Sequence, residues 1–290
     1  MNSLCPLGAI DEIQLLDAVN WVLLGGGWGV VVVVAVYWCV KVRRDPIACV
    51  SDIPNQLLPE AVLLPGLAWL AVGGLGGLIA QKRYGEEWPV VALLWIGDAA
   101  QIAGAVACLL VAAKCFDGGA RRFIVGQGRV IHDVGAAFVW APAAVAVCPV
   151  IAMITLWGLT SIDPNYVVFE HRVIDALRTE DLAPWVLWIG AVVIAPVAEE
   201  CFFRGLLQTY LVKLLGRRWP AILLTGTLFG VIHAGGRDAP QPHVVPAMMV
   251  LGIMLGVLYA RRGALIAPIT VHALFNLKTL ALETLSLRWG

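Results

Sequence analysis

Two adjacent glutamates and an arginine interrupt an apolar run at "APVAEECFFRGL", residues 195 to 206. Each ionisable group beside lipid costs on the order of 3 kcal/mol at a helix centre, so such a cluster needs a chemical reason. On a helix, Glu200 and Arg204 lie within about 40° of each other and can pair, while Glu199 is turned away from Glu200 by about 100° and is left as a free carboxylate aimed at a neighbour. Downstream, "FGVIHA" supplies His233 one turn beyond Phe229, and "HALFN" puts His272 and Asn276 on one face. A carboxylate shielded from bulk water is an effective general base. Facing imidazoles can hold a metal that acidifies water, or they can polarise a carbonyl directly. Asparagine is a poor zinc ligand and a better amide donor to an oxyanion. The sequence has no GxSxG, and Cys201 has no histidine at a defining spacing, so water is the simplest nucleophile.

These residues must be positioned by membrane helices. The 290-residue chain is 60% hydrophobic and 14% charged, and its mean hydropathy is +0.84, far from a soluble composition. The pattern predicts an all-α, polytopic bundle of about eight spans, at roughly 19–40, 61–80, 89–113, 134–160, 184–212, 219–235, 244–260 and 264–285. The first four spans are almost free of ionisable groups, Asp98 excepted, so the chemistry belongs to the last four. This divides the chain into an N-terminal transmembrane region, 1–182, and a catalytic core, 183–285. Between them, "NYVVFEHRVIDAL" aligns Phe169, Val173 and Leu177 as a short interfacial helix. At the helical rise, Glu199, His233 and Asn276 lie about 18, 21 and 18 Å from the same membrane face, and His272 about 12 Å, so one polar chamber is geometrically feasible.

Lys and Arg are concentrated in the loops after the first, third, fifth and seventh spans. The positive-inside rule therefore puts both termini outside the cytoplasm of a multi-pass protein of the plasma (inner) membrane. The N-terminus lacks the basic region of a cleaved signal peptide. Zero formal net charge and the lack of a basic run argue against nucleic acid as a partner. The seven cysteines lack CxxC spacing and read as small buried apolar residues. Asp98 reads as a buried acid bonded to Gln101 or a neighbouring helix, and His132, His171 and His243 as ordinary residues of loops and span ends. Trp88, Trp185 and Trp219 read as belt anchors, and the glycines of "GGLGG" as close-packing positions.

Taken together, "EECFFR", "FGVIH" and "HALFN" match the EExxxR, FxxxH and HxxxN motifs of the CPBP intramembrane proteases, in order and across about residues 183 to 280. The chain resembles that family, which contains the type II CAAX prenyl endopeptidases and the bacterial Abi proteins. The resemblance implies an endopeptidase acting on a membrane-associated peptide or protein, with Glu199 as the base that activates water. It implies His233 as a metal ligand or water-orienting group, His272 and Asn276 as ligands or oxyanion stabilisers, and Glu200 and Arg204 as supporting residues. Family members are described both as zinc enzymes and as metal-free glutamate-dependent enzymes, and on the first description Glu199, His233 and His272 are the zinc ligands, with a coordination position left open. The competing readings are a catalytically silent scaffold or immunity-type protein, and a proton-coupled transporter, although no inverted repeat favours the latter.

Overall fold

A computed structural model of the protein describes residues 55–85, 88–164, 166, 183–234 and 241–289. We number its helices α1 (Pro59–Tyr84), α2 (Val90–Cys115), α3 (Gly119–Val125), α4 (Val130–Ile162), α5 (183–215), α6 (Arg218–Ile232), α7 (Val245–Arg262) and α8 (Ile266–Trp289). The architecture is a helical membrane bundle, and five helical runs among the described residues are long and apolar enough to cross a bilayer. The chain is an integral membrane protein. The expected spans from 61–80 onward each coincide with one of the longer helices, whereas the expected span 19–40 and the interfacial helix at 169–177 lie outside the described residues.

Two of the expected spans differ from ordinary crossings. Helix α6 has 15 residues, roughly 22 Å of rise, and stops with His233 as its C-cap, so it falls short of a full span. Helix α8 is not among the five apolar runs, since His272, Asn276, Lys278 and Glu283 interrupt its apolar character. Outward-facing leucines on α1, including Leu64, Leu67, Leu75 and Leu78, remain exposed because lipid is as apolar as a protein core. The core proper is built from small residues of α4 (Ala137, Ala141, Ala144, Cys148) packed against Phe203, Phe229, Leu251, Leu255 and Val271. At one end of the bundle, buried Asp133 of α4 accepts from Arg262 of α7 at 2.6 Å.

Helix α5 is not uniform. A π run, Gly190–Ile194, precedes the α-helical Ala195–Glu200, and a second π run, Cys201–Gln208, follows it. A π run breaks the regular ladder and is concentrated at functional sites. Side chains occupy carbonyls in both: Asn276 Nδ2 donates to Ala191 O at 2.7 Å, and Thr209 Oγ1 donates to Arg204 O at 3.2 Å.

Helices α6 and α7 pack with their backbones almost touching. A Cβ on Gly252 would lie 2.9 Å from Gly226 Cα and 3.0 Å from Gly226 O, so neither position has room for a side chain. The bare surface of α7 also lets α5 reach its backbone: Arg204 Nη2 donates to Gly252 O, and Gln208 Nε2 to Gly256 O, each at 3.0 Å. Both donors and both acceptors are spaced by one helical turn, which fixes the register of α5 on α7. Cys108, Cys148 and Cys201 are free and buried, as the sequence reading has them, whereas Cys115 is free but partly exposed. Gly252→Ala should destabilise the protein by about 2 kcal/mol through overpacking. Thermal melts in detergent check this against Gly97→Ala, whose added methyl group would meet no atom within 4 Å.

Candidate active site

The candidate residues of α5, α6 and α8 assemble in two layers. In the inner layer, Glu200 and Arg204 are fully buried, and Arg204 Nη1 donates to Glu200 Oε1 at 2.9 Å. The same oxygen accepts from Nδ1 of His272, at 3.0 Å, across from α8. Arg204 also stacks over the Phe229 ring, with its guanidinium carbon 4.6 Å from the centroid, and Phe229 is itself fully buried. The Arg204 charge is met by Glu200, by the Gly252 carbonyl and by the Phe229 face, and the Glu200 charge by Arg204 and His272, and these contacts make so deep a pair tenable.

The outer layer holds Glu199 and His233. Their side chains are 21% and 31% exposed, against zero for Glu200, so Glu199 is the carboxylate that a substrate can reach. The chain end of α6 orients the imidazole, because Nδ1 of His233 donates to Phe229 O at 2.6 Å. Since a carbonyl only accepts, this hydrogen bond fixes the tautomer and leaves Nε2 as a lone-pair nitrogen. It faces Glu199 Oε2 at 3.9 Å, too far for a direct hydrogen bond, and that oxygen is buried without a partner. Two acceptors held this far apart leave room for one water donating to both. Glu199 borders a cavity of about 280 Å³ whose other walls include Trp69, Gln101, Phe202 and Ile232.

The structure thus brings all six candidate residues around Phe229 and α5, but it does not converge them on one point. His272 engages Glu200 rather than Glu199, and Phe229 packs against both imidazoles, with ring centroids 4.5 Å from His233 and 5.6 Å from His272. Asn276 is tied to the first π run of α5. The imidazoles have the chemistry of metal ligands, each with Nδ1 anchored and Nε2 free. Among the described residues, however, no three His, Cys, Asp or Glu side chains are placed to hold a metal ion, so the donor set as arranged does not fit zinc.

Asp98 packs against Gly190 of the first π run, where a Cβ would run into its carboxylate. His243 is buried beside Tyr166, whose hydroxyl lies 3.0 Å from its Nδ1. Sequence reasoning missed Gly252, Gln208, Trp69 and the cavity-facing role of Gln101. The first two carried a readable signal in "LGIMLG", a small-residue spacing opposite Arg204 and Gln208.

The layers predict different failures. Glu200→Gln leaves Arg204 buried without a counter-charge and should cost about 3 kcal/mol or more. Adding Arg204→Met should restore much of that loss, as read by folded yield and melting temperature. Equal stability of the single and double variants would contradict the pairing.

Residues 181–278 match the family model "Type II CAAX prenyl endopeptidase Rce1-like". No curated protein and no solved structure matches the chain. The matched stretch runs from the start of α5 into α8 and holds every residue of both layers, and across it the chain is similar to the type II CAAX prenyl endopeptidases.

Proposed function

We propose that the protein is an intramembrane endopeptidase in which Glu199 activates water to cut a peptide bond of a membrane-associated substrate. The observation that carries the reading is the unpartnered Glu199 Oε2 facing the lone pair of His233 at 3.9 Å beside a cavity. A water between them donates one hydrogen to each and turns its own lone pair outward. As that oxygen attacks the scissile carbonyl carbon, Glu199 takes the proton and His233 steadies the remaining hydrogen. When the C–N bond breaks, the proton passes from Glu199 to the leaving nitrogen, giving an amine and a carboxylic acid, which then loses its remaining proton to water. Glu200, Arg204 and His272 hold the α5 turn that presents Glu199. Asn276 has a second amide hydrogen beyond the one given to Ala191, and this hydrogen suits a developing oxyanion.

No step requires zinc, in keeping with the arrangement of the donors. Neither a silent scaffold nor a transporter explains why an unpaired carboxylate is kept against an imidazole with fixed tautomer. The charge distribution supports termini outside the cytoplasm, in a plasma (inner) membrane, with the α5–α6 turn inside.

Glu199→Gln keeps size and hydrogen bonding but cannot take the proton, so cleavage of a membrane-tethered peptide should fall by at least about 100-fold, with an unchanged melting temperature. Arg204→Met should rescue none of that loss. Cleavage should also survive exhaustive chelation, and loss of activity restored by one equivalent of zinc would contradict the metal-free route. For orientation, a cysteine at Gly216 should react with membrane-impermeant reagent only from the cytoplasmic side; labelling from outside intact cells would invert the topology.

A further inference from the structure

The cavity at Glu199 is walled on one side by the N-terminal hairpin of α1 and α2, which lies outside the matched stretch 181–278. Gly66 and Trp69 of α1 and Gln101 of α2 face Glu199 and Phe202 of α5 and Ile232 of α6 across it. The lining is almost wholly apolar, and beside the catalytic carboxylate it carries Gln101, whose side-chain carbonyl Oε1 is buried without a hydrogen-bond partner. A native structure leaves few such groups unpaired, and an amide without a partner in an apolar wall is costly unless a ligand completes it.

A peptide about to be cut brings its own unpaired backbone groups to this wall. With the scissile carbonyl at Glu199, the flanking N–H and C=O groups have left water and need partners in an apolar setting. A carboxamide is their complement, accepting from N–H and donating to C=O whichever way the amide is turned. We infer that Gln101 binds the substrate backbone next to the scissile bond, and that the α1–α2 hairpin is half of the peptide-binding site, taking an extended segment with an apolar side chain lodged between Trp69 and Phe202. This inference rests on the endopeptidase reading and assigns specificity to helices that the family match does not cover. The remaining space is suited to a side chain: a Cβ on Gly66 would meet nothing within 4 Å, so a larger residue there narrows the cavity without a clash.

The test uses the full chain in phosphatidylcholine vesicles and a mass-encoded library of lipid-anchored apolar peptides. In a Glu199→Gln background, a benzophenone side chain in place of Leu70, which lines the same cavity on α1, should crosslink to peptides close to the bond that the native protein cuts. In the cutting protein, Gln101→Met should raise KM about tenfold, the loss of one well-placed hydrogen bond, with kcat within about twofold. Replacing one backbone N–H of the best peptide by an ester should cost the native protein a similar factor and cost Gln101→Met nothing further. Gly66→Leu should shift the cut peptides towards smaller side chains beside the scissile bond. Peptides cut normally with no crosslink from Leu70, or an ester penalty unchanged by Gln101→Met, overturns the inference and leaves the protease standing. Crosslinks from Leu70 with no peptide cut keep the binding site and remove the protease reading, and neither crosslinks nor cleavage removes both.

Discussion

A buried ion pair governs this bundle. Glu200 and Arg204 are fully removed from solvent, and a charge in that setting is tolerated only when every neighbour compensates it. The surrounding structure follows from that demand. Gly252 must lack a side chain so that its carbonyl can accept from Arg204, and the same bareness allows α6 to close on α7 at Gly226. Phe229 must present its face to the guanidinium, and His272 must bring a second donor from α8 to the Glu200 oxygen that Arg204 already holds. One pair therefore ties α5, α6, α7 and α8 together, and removing either partner disturbs them all.

The pair also explains the arrangement of the outer layer. With Arg204 and His272 both engaged at Glu200 Oε1, Glu199 on the adjacent position is presented instead to the cavity and to His233. The π runs on both sides of Ala195–Glu200 break the ladder around this turn, and Asn276 and Thr209 take up carbonyls within them. A buried ion pair anchored to three helices beneath a partly exposed carboxylate is the form expected of a preorganised catalytic group.

Much of this was legible in the sequence because its signals are local. Four-residue spacing read correctly for Glu200 with Arg204, and Glu199 was correctly separated from them, since a Glu–Arg pair one turn apart forms even where the helix turns π. Helix existence was legible from hydropathy for every expected span within the described residues. Equal depth, in contrast, did not mean equal partners: His272 lies in the same slab as Glu199 yet bonds Glu200, because Phe229 packs between the layers. In the first π run of α5 a side chain from another helix, Asn276, takes a backbone carbonyl, which no single-helix period encodes. Gln101 and Trp69 joined the site only through tertiary packing of a region with no motif.

The central claim is that Glu199 acts on water and never becomes bonded to the substrate. Single-turnover cleavage in water labelled with heavy oxygen tests it most directly, with the protein and both product peptides weighed afterwards. One labelled oxygen in the new peptide carboxylate and none in the protein is the result this account predicts. Label appearing in the side chain of Glu199, with an unlabelled product carboxylate, would show attack by the glutamate itself and contradict it.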